Sequence, residues 1–132
     1  DDGAEGYASN RLTRKGTPIC HEVNTCGVVN SDQFFATDSY RIHAQGKARL
    51  REFFKSSPAF AYAIVGHTDS RASHEYNQRL SYNRANAVAK VAQAVGAKIA
   101  DVRGMGETAP VASNRTREGM ARNRRVEILC FQ

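Results

Sequence analysis

The seven residues Phe60 to Gly66, FAYAIVG, are apolar at nearly every position, whereas on either side of them apolar residues recur at helical intervals. Unbroken apolarity over so short a run predicts a strand covered on both faces, as in the middle of a mainly parallel sheet. Upstream, Ile42, Gly46, Leu50 and Phe53 share one helical face, with Lys47, Arg49 and Arg51 outside, and Pro58 ends that helix. Asp38 or Ser39 is expected to cap it, and the aromatic segment before it, DQFFA (Asp32 to Ala36), reads as a short strand. Downstream, Ser73 caps a second helix and Glu75 suits its positive end. Leu80, Ala87, Val91 and Val95 form its inward stripe, and Gly96 stops it. DVRGMG holds a third strand, and the basic stretch SNRTREGMARN is a loop or short helix. RRVEILCF is a last strand with Val126, Ile128 and Cys130 on one face. The order strand, helix, strand, helix, strand, strand predicts a two-layer α/β domain. Residues 1–18 are polar, contain glycine and lack a pattern, so they read as a tail or linker ahead of a domain spanning residues 19–132.

One position conflicts with this pattern. On a wheel of about 100° per residue with Leu80 at zero, Val91 falls at roughly 20°, Arg84 at roughly 40°, and Asn77 and Val95 at roughly 60°. Arg84 and Asn77 therefore lie on the side of the apolar stripe. A guanidinium turned inward keeps its charge and must be paired or solvated, so it faces an anion, a pocket or both. Asp69, just after the apolar strand, is the nearest candidate, and Asp38 also follows a strand. If those strands are parallel, both carboxylates emerge at the carboxyl edge of the sheet, where open α/β folds bind ligands. Such a cleft suits a small zwitterion, its carboxylate on the guanidinium and its ammonium on an aspartate. The alternative is an internal ion pair that only fixes the loop.

Charge and cysteine content narrow the setting. In 132 residues, 19 Lys and Arg stand against 13 Asp and Glu, a formal charge of +6 that favours anionic partners without naming one. The longest apolar run is far short of the ~20 residues of a helical membrane span. With no initiator Met and no signal-peptide pattern, any anchor is expected outside this chain. Cys20 and Cys26, in a polar segment, are the favoured disulfide pair; Cys130 is expected to be buried, and pairing of either with it stays open.

Other chemistries find little support. Arg115, Arg117, Arg122, Arg124 and Arg125 could meet nucleic acid, but no aromatics interleave with them as a stacking platform requires, so no nucleic-acid partner is expected. His67, Asp69, Ser70 and Ser73 do not make a triad, because no nucleophile-elbow motif is present. His21, His43, His67 and His74 lack paired zinc-ligand spacing, and C-x5-C is not a usual zinc knuckle. GMGETA has too few glycines for a nucleotide loop. No catalysis, metal or cofactor is expected.

Two segments then carry a specific resemblance. VGHTDSRASHEYNQRLSYNRANAV, followed by RGMGETAPVASNRTREGMARNRRVEI, resembles the OmpA-like C-terminal domain found in outer-membrane protein A, peptidoglycan-associated lipoproteins and flagellar stator proteins. The likeness covers roughly Gln33 to Leu129 and rests on GHTD, N-x-x-L-S-x-x-R-A and N-R-R-V-E-I in order. It implies an α+β sandwich with a mixed sheet and helices packed on one face. It also implies non-covalent attachment to peptidoglycan in the periplasm of a Gram-negative envelope, through the meso-diaminopimelate of the stem peptide. The family's ligand aspartate corresponds to Asp69 and its arginine to Arg84, which grip the ligand's amino and carboxylate groups. Asp38, after Phe35 in F-x-x-D, has neighbouring amides that help hold the carboxylate; Asn77 and Leu80 match groove positions; Thr68 and Arg124 complete the implied set. Ala72 stands where the family often has glycine. A homodimer is left open.

Overall fold

The computed structural model describes residues 10–12, 18–20 and 22–132. In chain order its elements are β1 (Asn10–Leu12), β2 (Pro18–Cys20), β3 (Val23–Asn30), α1 (Ser31–Phe34), α2 (Ala44–Ser56), β4 (Ala61–His67), α3 (His74–Ala94), β5 (Ile99–Gly104), α4 (Arg117–Asn123) and β6 (Arg125–Phe131). β1 and β2 form a separate antiparallel ribbon, so Asn10–Leu12, inside the stretch read as a tail, is paired with Pro18–Cys20; the rest of that stretch lies outside the described residues. The main sheet has the order β3-β6-β4-β5, with β4 and β5 parallel and β6 antiparallel to both its neighbours. It is the expected mixed sheet, with α2 and α3 packed alongside it over a core that includes Leu50, Phe54, Tyr62, Ile64, Val88, Val126 and Ile128. Every residue of β4 is buried, as its unbroken apolar run requires for a strand with hydrogen-bonded neighbours on both sides.

Three local expectations are corrected. DQFFA is not a strand: the Asn30 side chain accepts a hydrogen bond from the Asp32 amide and starts the single turn of α1. Phe34 and Phe35 are both buried, which a turn permits and strict alternation does not. The strand that fills this place in the sheet is β3, just upstream, whose half-exposed residues hid it from the apolar pattern. Neither Asp38 nor Ser39 caps α2; His43 does, its Nδ1 accepting from the Gly46 amide at 3.1 Å. Asp38 has φ 61°, in the left-handed region, whereas an N-cap residue is typically extended.

The third concerns α3. Ser73 caps it and it ends at Gly96 (φ 91°) as expected, but its deepest positions include Ser81, Arg84, Ala85, Val88 and Ala92, while Leu80, Ala87 and Val95 are half-buried. The reason is close approach. A Cβ on Gly66 would lie 2.0 Å from the Ser81 carbonyl oxygen, and one on Gly104 would lie 2.5 Å from the Tyr82 amide nitrogen. The helix rests almost directly on β4 and β5 at Ser81 and Tyr82, so Leu80 is turned to the rim there, while Val88 and Val91 pack deeply farther along.

The cysteine pairing also changes. Cys26 bonds to Cys130, 104 residues away, with Cα atoms 5.8 Å apart. β3 and β6 are neighbours, and a bulge between Thr25 and Gly27 places Cys26 beside the Cys130 strand, where its side chain packs on the main core. Cys20 sits in the separate β1–β2 ribbon. Proximity in sequence favoured Cys20 and Cys26; cross-strand register decided otherwise.

Candidate functional site

Because β3 and β4 both run antiparallel to the β6 strand between them, they point the same way and open at one sheet edge. The segment after β3, the loop after β4, the start of α3 and the residue preceding β6 all converge there. They enclose a cavity of about 560 Å³ that brings Asp38, Asp69, Asn77, Leu80, Arg84 and Arg124 together with Asp32, Arg71 and Tyr76. Thr68 is the exception among the expected residues: it is buried behind the loop, its hydroxyl donating to the Asp69 carbonyl at 2.8 Å.

Arg84 is only 4% exposed, yet Asp69 is not its partner. Its Nε donates to the Ser39 carbonyl at 2.8 Å and one terminal nitrogen donates to the Ala36 carbonyl at 3.2 Å. The guanidinium also lies over the Phe35 ring, 5.0 Å from its centroid. Burial draws its pKa down, opposed by the negative charges of Asp32 and Asp38. The group stays ionised, since an arginine titrates far above neutrality. Among the described residues its other terminal nitrogen, Nη1, has no protein acceptor, and the side chain borders the cavity. Arg84 therefore organises the 36–39 segment and still has donors for an anion.

Asp69, 5% exposed, is held from two sides. Its Oδ1 accepts from the Arg71 amide at 3.1 Å, and its Oδ2 from Arg71 Nε at 3.1 Å and from Arg124 Nη1 at 2.6 Å. Burial would raise its pKa, but the hydrogen bonds from Arg71 and Arg124 outweigh it and the carboxyl ends below its ordinary value. Arg124 is the hub: it also makes a fork to Asp32, Nε to Oδ1 at 2.9 Å and Nη2 to Oδ2 at 2.8 Å, which lowers the Asp32 pKa and raises its own. Asp32 is 92 residues away in sequence and was missed for that reason; no local spacing marks it.

The rest of the site is scaffolding. Asn77 Nδ2 donates to the Asp69 and Ala72 carbonyls and to Glu107, clamping the loop after β4 onto α3. Asp38 Oδ1 accepts from the Tyr76 hydroxyl at 2.6 Å, tying its left-handed backbone to the first turn of α3. Ala72 has no positive φ, so alanine fits the loop without strain. Among the described residues no cluster of three or more His, Cys, Asp or Glu is placed to hold a metal, and no helix is long and apolar enough to cross a membrane. The cavity thus offers a buried cation with free donors beside a carboxylate, an arrangement for binding a molecule bearing both charges.

Comparison with known proteins agrees with this architecture. The chain is 46% identical over 127 residues to outer membrane porin F of Pseudomonas aeruginosa, a match covering 91% of this chain and 35% of that protein. The chain therefore spans about a third of that relative's length. Among solved structures, it superposes on the cell wall anchor of the type VI secretion system of Pseudomonas aeruginosa with TM-score 0.69 at 26% identity, covering 96% of this chain and 89% of the other. It superposes on the peptidoglycan-associated lipoprotein of Burkholderia pseudomallei with TM-score 0.64 at 31% identity, covering 80% and 89%. None of these relatives is named for a catalytic activity. The pattern of the OmpA family matches residues 34–124, more than half of the chain, and with the fold and the GHTD and R-A segments in their places, the chain belongs to the OmpA family.

Proposed function

We propose that this domain binds peptidoglycan through the meso-diaminopimelate of the stem peptide and so tethers its parent protein to the cell wall. The observation that carries the reading is Arg84: a buried guanidinium with unspent donors at the edge of a cavity whose other wall holds the Asp69 carboxylate. A ligand carboxylate takes those donors. The ligand ammonium takes Asp69, displacing Arg71, whose side chain is 64% exposed and whose ion pair is therefore worth only about 0–1 kcal/mol. Arg124 stays in place through its fork to Asp32 and keeps Asp69 ionised. Backbone amides around Asp38 complete the carboxylate site.

A wall-associated relative of 31% identity, the peptidoglycan-associated lipoprotein, supports the ligand class. The Cys26–Cys130 bond suits an oxidising compartment such as the periplasm. Two charge-assisted contacts in a wet cleft give a Kd of roughly 10 µM to 1 mM; a polymer that repeats the ligand converts this into firm retention by effective concentration. The test is an NMR titration of the labelled domain with free meso-diaminopimelate, with Nα-acetyl-lysinamide, which carries an ammonium and no carboxylate, as the control. Shifts at Asp38, Asp69, Asn77 and Arg84 with diaminopimelate alone are expected; no shifts with it would leave Arg84 as a strut and sink the proposal.

A further inference from the structure

A second groove runs between α2 and α3, shares no lining residue with the first cavity, and encloses about 410 Å³. Ile42, Ala87, Val91 and Ala94 are its aliphatic lining, Ile42 and Val91 forming a buried floor. Around this lie four cations, Arg41 before α2, Lys47 and Arg51 one helical turn apart on α2, and Lys90 on α3, with no Asp or Glu in the lining. All four are exposed, and among the described residues none is in an ion pair. The lining therefore carries four positive charges with no acid among its residues to offset them.

We propose that this groove docks an acidic peptide segment of a partner protein, one that alternates carboxylates with apolar side chains. Three features select a peptide. Cations come from both helices, Arg41, Lys47 and Arg51 on the α2 side and Lys90 on α3, so a ligand lying between the helices meets positive charge on both sides. Asn83 and Asn86 stand in the wall, each with an amide able to donate to and accept from a peptide bond. Ala87 and Ala94 are small enough for a backbone to approach. From Asn83 to Ala94 the helix rises roughly 16 Å, the span of about five residues of extended chain. Tyr40, 55% exposed at one end, offers an amphipathic ring of the kind enriched at binding surfaces.

The probe is a short capped peptide alternating Glu and Leu, titrated into the labelled domain, with its Gln counterpart and phosphatidylglycerol vesicles as separate arms. Saturable shifts at Asn83, Asn86, Lys90 and Val91 are expected with the Glu peptide, with affinity at least about tenfold lower for the Gln peptide. The double variant R51E/K90E is expected to lose about tenfold or more in affinity, because both charges flank the ligand. Both positions are exposed, and a dispersed spectrum of the variant checks its fold; Lys47→Glu serves in its place if that check fails. Shifts absent from the groove, equal binding of the Gln peptide, response to vesicles alone, or undiminished binding by the charge-reversed variant would each overturn the proposal. Because this groove is separate from the diaminopimelate cavity, either reading can fail without the other.

Discussion

Substitution of Arg84 separates a ligand anchor from a structural strut, and the structure supplies both magnitudes. In Arg84→Ala the folded domain loses two charge-assisted hydrogen bonds, to Ser39 and Ala36, and the contact with Phe35. Such bonds are worth about 1.5–3 kcal/mol each by mutation. The variant also escapes the desolvation that draws the arginine's pKa down, and water can reach the freed carbonyls of the exposed segment. The net loss should be about 1–3 kcal/mol. With an m-value of about 2 kcal/mol/M, the urea midpoint falls by about 0.5–1.5 M while the domain stays folded in buffer. Binding should suffer far more: removing one partner of a desolvated charge pair costs about 2–5 kcal/mol, or roughly 30-fold to several thousand-fold. From a start of roughly 10 µM to 1 mM, that weakens the Kd for diaminopimelate to about 0.3 mM at the least and to tens of millimolar or beyond over most of the range. Arg84→Lys, with one compact charge in place of the fork, should recover part of the stability and little of the binding. If Arg84→Ala bound diaminopimelate within threefold of the parent while showing the expected urea shift, the arginine would be a strut and the ligand assignment would be wrong.

Other expectations follow from the same contacts. Arg124→Ala leaves the buried Asp69 with Arg71 as its sole ion-pair partner among the described residues and frees Asp32, and should destabilise by about 1–3 kcal/mol, more than Arg71→Ala, whose exposed pair is worth under about 1 kcal/mol; paired thermal melts read the difference. Replacing both Cys26 and Cys130 by Ala opens a loop of 104 residues and should cost about 3–5 kcal/mol in urea unfolding, whereas loss of Cys20 should leave the Cys26–Cys130 bond intact on peptide mapping. Acid should also weaken the fold. His67, with Nε2 3.4 Å from Glu127 Oε1, and the Arg125 guanidinium at 2.8 Å outweigh burial and hold the Glu127 pKa down to about 2. Its folded pKa is depressed, so its contribution is complete above the unfolded value near 4.5 and is lost as pH falls toward about 2. Urea midpoints should therefore drop over that window, and Glu127→Gln should flatten the drop.

Much of this was legible in the residues alone. The apolar run of β4, the Ser73 cap, the Gly96 stop and the alternating face of β6 are local signals, and each marked its element. Arg84 was conspicuous because a cation on a helical stripe contradicts its surroundings, a conflict visible without coordinates. Elsewhere the local signal pointed the wrong way. β3 carries a half-solvated, polar-rich sequence, so its place in the sheet came from pairing with β6 and not from its own pattern. On α3 Leu80 marked the rim, because Gly66 and Gly104 bring the sheet too close at Ser81 and Tyr82 for a large side chain. Arg124 came only from the family resemblance, and nothing local marked it as the hub, since its partners Asp32 and Asp69 lie 92 and 55 residues away. Cys26 found Cys130 across 104 residues for the same reason. The sequence by itself determined the types of α2, β4, α3, β5 and β6, the family signature and the presence of an inward cation, because those depend on neighbours within one or two turns. Which charges meet, which cysteines join and which face of each helix is buried were decided only by the tertiary structure, because chain reversal between strands sets those distances independently of separation along the chain.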